Sequence, residues 1–186
     1  RAIFWALVAI ASATLLALGS IPETLPEARR NREPLLGAFF AYGPLLRHRR
    51  MLGYAGAGAF FYAGVYAYIA GTPFAFIVHH QVPEAVYGVL FAAGILGIMA
   101  ANTANARLVR RFGVDRLLVV GTAVAAVAGV IVAVDAFHDL GGLWGLVLPL
   151  FAFVSTSGFI VANSISGALA DFPHRAGAVS ALVGAI

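Results

Sequence analysis

Side chains able to do chemistry are few in this chain, and nearly all stand where apolar runs end. The five histidines, His48, His79, His80, His138 and His174, fall in the connections or at the ends of the runs, and only His79 and His80 are adjacent. A metal site needs several ligands converging on one point. With one adjacent pair and no cysteine, the histidines read as interfacial, and neither a metal nor another cofactor is expected. No Asp, Glu, Arg or His lies at mid-depth in any apolar run, which argues against an intramembrane protease, a metal-dependent membrane enzyme or a proton relay, since each needs ionisable groups inside. No catalytic residue is therefore assigned. Gly56-Ala57-Gly58 lies within an apolar run and follows no strand, so it is not a phosphate-binding loop.

What remains at mid-depth is uncharged and polar: Ser155, Thr156, Asn163, Thr72 and a set of tyrosines. Asn163 can make a hydrogen bond between helices, worth about 1 kcal/mol in a membrane, or one to a passing solute. Tyr62 and Tyr66, four apart, share a helix face; there they pack, or in a cavity stack on an aromatic or cationic solute. Thr72 precedes Pro73, which removes the bond to the carbonyl of Ile69 and should bend or loosen its helix. Such breaks serve as packing kinks or line cavities. Tyr62, Tyr66, Thr72, Pro73 and Asn163 are the candidates for a substrate path.

The elements that must hold these residues follow from composition. Hydrophobic residues make up 61% of the chain and charged ones 11%, against roughly 25% charged in soluble domains. The lipid bilayer is the medium. Crossing it takes about 20 apolar residues, and five runs approach or meet that length, at about 2–20, 51–79, 85–105, 117–136 and 143–167, with a sixth from 173 to 186 cut short. Helices are required, because an open strand in lipid leaves backbone groups unpaired. Ala2 to Gly19 is too long for the core of a signal peptide and reads as a span.

All twelve cationic residues are arginine, and their positions rather than their sum are informative. Successive connections carry six, none, four, none and one. That alternation follows the positive-inside rule and puts the first, third and fifth connections in the cytoplasm. Because the arginines form no continuous face, nucleic acid is not a partner. The third connection, Asn105 to Arg116, reads as a tight cationic loop holding Arg107, Arg110, Arg111 and Arg116, with Asp115 as its one acid for a local ion pair. The first, about 21–50, is long; its apolar stretch Leu35 to Phe40 ahead of Arg47, Arg49 and Arg50 reads either as a segment lying in the interface or as a plain linker. In the second span, Ala55, Ala59, Ala63, Ala67 and Gly71 recur every fourth residue and are expected to form a stripe for close helix packing.

Asp171-Phe172-Pro173-His174-Arg175-Ala176-Gly177, followed by Ser180-Ala181-Leu182, resembles the signature of the Bcr/CflA branch (bicyclomycin and chloramphenicol resistance) of the major facilitator superfamily drug:proton antiporters. Glu23-Thr24-Leu25-Pro26, Leu46 to Arg50, Gly71-Thr72-Pro73-Phe74, Gly88 to Phe91 and Arg107 to Gly113 agree with it, so the resemblance covers essentially the whole chain. It implies helices six to eleven of a twelve-helix, all-α integral membrane fold, with residues 1–20 ending the N-terminal half, 21–50 the central cytoplasmic loop and 51–186 the C-terminal bundle. The superfamily's gating loop survives only as Arg111-x-Gly113, with Ala106 and Arg110 in place of its first Gly and its Asp. Arg107, Arg110, Arg111, Gly113, Asp115 and Arg116 are accordingly gating candidates.

By the resemblance, the function is multidrug efflux by proton antiport across the bacterial inner membrane. The expected partners are lipid, small amphipathic drug-like solutes, protons and an absent N-terminal half holding the coupling carboxylate. A metabolite exporter of the same superfamily, or a membrane enzyme or scaffold, is the alternative.

Overall fold

Runs this apolar have no water to satisfy their backbone, so each peptide group must find its partner inside its own helix. A computed structural model describes residues 1–20 and 42–185, and every regular element among them is helical. Among the described residues, five helical spans are long and apolar enough to cross a membrane. The proposed interfacial segment at Leu35 to Phe40 lies outside the described residues. Helix α1, Ala2–Gly19, belongs to one unit and the later helices to a second. Its hydroxyls bond inward, Thr14 Oγ1 donating to the Ile10 carbonyl at 2.8 Å.

The second unit begins with α2, Arg49–Pro73, whose α-helical bonding gives way to a π-helical turn, Phe74–His79. The expected disturbance at Pro73 takes this form. Its ring nitrogen cannot donate, and the chain beyond widens until His80 N–H reaches the Ala75 carbonyl five residues back, at 3.1 Å. The expected alanine stripe does not form. Ala55 is buried, but Ala63, Ala67 and Gly71 are exposed. Four residues advance a helix by about 400°, so each repeat drifts by about 40° and five repeats cannot face one neighbour. The residues turned inward are instead Met51, Tyr54, Ala55, Gly58 and Phe61 along the first half of the helix, and Thr72 and Phe76, four apart, near its end.

Helix α3, Glu84–Phe112, starts after Pro83 with Glu84 in its first turn, and runs farther than its apolar segment. Arg107, Arg110 and Arg111 are thus helical, and the expected cationic loop narrows to Gly113 before α4, Val114–His138. Arginine is a good helix former and its long stem lets the charge reach water from a helix end, so nothing forces an earlier stop. Gly113 has φ 79° and ψ 163°, a conformation essentially confined to glycine. Gly113→Ala is expected to cost about 1–3 kcal/mol through the backbone alone, because open space surrounds the site. Thermal unfolding of the purified protein in detergent checks this.

Asp135, at the end of the fourth apolar run, lies inside α4 and is buried. Its Oδ1 accepts a hydrogen bond from Gly141 N–H at 2.8 Å, so a carboxylate of one helix caps the start of the next. The fifth span is two segments, α5 (Gly142–Ser155) and α6 (Ser157–Ala170), meeting at Thr156. Ser155 Oγ donates to the Phe151 carbonyl at 2.7 Å and Thr156 Oγ1 to that of Phe153 at 2.6 Å, and such side-chain bonds compete with the helix's own ladder. A 3₁₀ turn, Pro173–Arg175, leads into α7, Ala176–Ala185.

The α5–α6 span is the hub of this unit. It packs against α2, α3 and α4, while α7 lies against α6 and α2. Leu45, Met51, Tyr54, Phe61, Leu118, Ile160 and Val179 form the core at the arginine-rich end, and Phe76, Val82 and Leu146 a smaller one at the other. Glycines permit the close crossings: Gly97 receives Ser155 and Phe151, and Gly167 receives the ring of Tyr54.

Candidate functional site

Helix α2 presents different faces to different neighbours, and this sorts the candidate residues. Tyr62 and Tyr66 are exposed within the bundle, at 46% and 69%. They face a groove of about 580 Å³ whose other walls are α6, with Ser164, Ile165 and Leu169, and α7, with Ser180 and Val183. Gly58 forms part of its floor, and Ser164 Oγ would be 3.0 Å from any Cβ placed there. The lining offers two aromatic faces and hydroxyl groups, and it contains no Asp, Glu, Arg or His.

Thr72 is not in that groove. It is buried, shares a hydrogen bond with Tyr87 Oη at 3.2 Å, and borders a separate apolar cavity of about 370 Å³ between α2, α4 and α5. Pro73 stands beside Thr72 at the change from α to π geometry. Asn163 is buried too, its amide nitrogen donating to Asn105 Oδ1 and to the Phe159 carbonyl, each at 2.7 Å. Of the two roles open to Asn163, the geometry matches the bond between helices, here α3 to α6. The structure therefore brings Tyr62 and Tyr66 together with Ser164 and Ser180, and places Thr72, Pro73 and Asn163 elsewhere.

A polar cluster closes the arginine-rich end. The Arg50 guanidinium lies 3.5 Å from Asp115 and 3.4 Å from Asp171, donates to Tyr54 Oη at 3.4 Å and sits over the Tyr54 ring. Tyr54 Oη in turn donates to Asp115 Oδ1. Asp115 thus takes its partner from α2, not from its own connection as expected. Among the described residues, no ion pair involves Arg107, Arg110, Arg111 or Arg116, all exposed, and Arg111 stacks on Phe112. Of the signature residues, Phe172 is partly buried against His48, Pro173 opens the 3₁₀ turn, Arg175 is exposed, and Ala176 and Gly177 begin α7. Sequence reasoning missed Arg50 and Tyr54 as a pair, although four residues separate them and an Arg so placed reaches a Tyr on its own helix face.

Among the described residues, five helical spans with their charged side chains near the ends define a helical, multi-pass membrane protein, and the groove between α2, α6 and α7 lies within its second unit. Over its whole length the chain is 29% identical to a bicyclomycin resistance protein homolog of Haemophilus influenzae, covering 47% of that protein. Over 91% of its length it is 31% identical to YdgK, an uncharacterized MFS-type transporter of Bacillus subtilis, covering 42% of it. The chain spans about half the length of the curated relatives it matches. No family model and no solved structure matches it. The chain is thus similar to transporters of the major facilitator superfamily, and its likeness to the Bcr/CflA branch rests on the first of these relatives.

Proposed function

We propose that the chain is helices six to eleven, and so most of the second half, of a twelve-helix secondary transporter of the bacterial inner membrane, which exports small amphipathic, drug-like solutes in exchange for protons. The observation that carries this reading is the groove of Tyr62, Tyr66, Ser164 and Ser180. Its volume of about 580 Å³ falls in the range of small-molecule sites. Two aromatic faces with a few hydroxyls suit a solute that is largely apolar and carries a few hydrogen-bonding groups. A zwitterionic or anionic metabolite would need charged partners there, and the lining supplies none.

Mechanistically, a second six-helix half supplies the opposite wall and the coupling carboxylate, and the halves rock about the midplane so that the groove opens to one side at a time. The rigid body on this side is the hub of α5 and α6 with α2, α3 and α4 packed on it. The kinship with a bicyclomycin resistance homolog supports a drug-like substrate. Transport, not catalysis, is the activity.

Inside-out vesicles carrying a full-length transporter with this half test the reading. Adding an amphipathic substrate dye is expected to dissipate an imposed pH gradient, and the isolated 186-residue chain to do nothing. Proton-driven transport by the isolated chain, or export indifferent to collapse of the gradient, overturns it.

A further inference from the structure

The segment Asp171 to Arg175 opens the most distinctive motif in the chain, which runs on to Gly177, yet Asp171, Phe172, Pro173 and Arg175 do not line the groove. Two independent contacts tie it instead to the start of α2. Asp171 Oδ1 accepts from Arg50 Nη1 at 3.4 Å, and the Phe172 ring meets the His48 ring edge-on with centroids 5.0 Å apart. His48 is itself fixed, because its Nδ1 accepts from Met51 N–H at 3.3 Å and caps α2. Arg50 is shared with Asp115 at the start of α4.

The three walls of the groove converge on this point. The lining of α2 begins at Ala55, one turn beyond Arg50; that of α6 ends at Leu169, two residues before Asp171; that of α7 begins at Ser180. We infer that Asp171 and Phe172 form a strap, clasped by Arg50 and His48, that sets how far α7 stands from α2 at the arginine-rich end of the groove. Arg50, His48, Asp171 and Phe172 are positioning residues, and the groove they control is the solute path proposed above.

The strap is built to open. The Arg50 and Asp171 side chains are 55% and 32% exposed, and an ion pair in contact with water is weak and readily screened by salt. Val179 of α7, by contrast, is fully buried. Releasing the ion pair and the ring contact therefore loosens the seat of α7 on α2, with Val179, the fourth residue of the helix, as the point about which it pivots.

The chain has no cysteine, so Ser180→Cys in a full-length, otherwise cysteine-free transporter places a single probe in the groove. Its rate of labelling by a membrane-impermeant maleimide is measured in inside-out vesicles, where the cytoplasmic face is outward. Arg50→Ala and Phe172→Ala are each expected to raise the rate severalfold, Arg50→Lys to stay near the parent, and the exposed Arg175→Ala to change nothing. Raising the salt concentration should speed labelling of the parent as well, a readout that requires no second substitution. Unchanged rates in folded Arg50→Ala and Phe172→Ala variants, together with no salt effect, overturn the strap. Faster labelling in a protein that exports nothing supports the strap and sinks the transport reading; unchanged labelling with intact export does the reverse.

Discussion

Gly158→Val is expected to be the most damaging single substitution in the bundle. Gly158 lies where α6 crosses α3, and a Cβ there would be 2.6 Å from the carbonyl carbon of Ala101 and 2.8 Å from its Cβ, as well as against the backbone nitrogen of Asn102. A flexible side chain could swing away from such a collision; a helix backbone cannot, so the two helices must separate. The same seam holds Ser155 and Phe151 against Gly97, and it holds the Asn105–Asn163 hydrogen bond at 2.7 Å. Both contacts lie within about two turns of the crossing, and a wedge at Gly158 strains them together. Overpacking of a tight interior costs typically 1–3 kcal/mol, and here a polar contact in a low-dielectric setting is strained as well. A loss of about 3 kcal/mol or more is expected, seen as a marked fall in the unfolding temperature of the full-length protein in detergent. Gly129→Val is the control. It too is helical, but open space surrounds its Cβ, so its effect should stay small. If the two variants unfold at similar temperatures, the close crossing of α3 and α6 is wrong.

The largest effect on transport is expected from the double substitution Tyr62→Ala with Tyr66→Ala. Both rings are exposed in the groove, so their removal leaves the core intact and stability nearly unchanged. A stacked aromatic contact is worth about 0.5–1.5 kcal/mol beyond the area it buries. Losing two therefore weakens solute binding by roughly ten- to hundredfold. The increase belongs in the KM for an amphipathic aromatic substrate, measured by efflux from vesicles, with the proton gradient held constant. Tyr62→Phe and Tyr66→Phe keep the faces and lose the hydroxyls, and should stay close to the parent if stacking dominates. Unchanged KM and maximal rate in the double alanine variant would remove the groove from the solute path. Tyr68 provides a contrast on the same helix. It stacks on Phe91 with centroids 5.8 Å apart and borders the other cavity, so Tyr68→Ala should cost stability before it affects KM.

The arginine-rich connection shows how a correct reading of topology can misjudge local structure. Arg107 to Arg116 carry the orientation argument through their number and placement, and those follow from composition alone. Their conformation does not: all but Gly113 of this stretch is helical. Charge marks a membrane boundary, whereas a helix stops only where the backbone is made to turn. Gly113 was visible in the sequence as part of a motif, and its positive φ supplies the physical reason for glycine there.

The number of apolar runs, the disturbance at Pro73 and the lack of Asp, Glu, Arg and His at mid-depth were all decided by the sequence. Each is a sum over a window or a property of one residue: hydropathy adds along the chain, and a missing N–H is missing in any fold. Only the tertiary structure decided who faces whom. It turned the alanine stripe out of register, paired Asp115 with Arg50 instead of a neighbour, put Asn163 in a bond with Asn105, and joined Tyr62 and Tyr66 to Ser164 and Ser180 in one groove. Facing depends on the rotation of each helix about its axis and on where helices cross, and both are set by packing between residues far apart in the chain. A drift of about 40° every four residues is small over one turn and large enough over a whole span to move a side chain from one neighbour to the next.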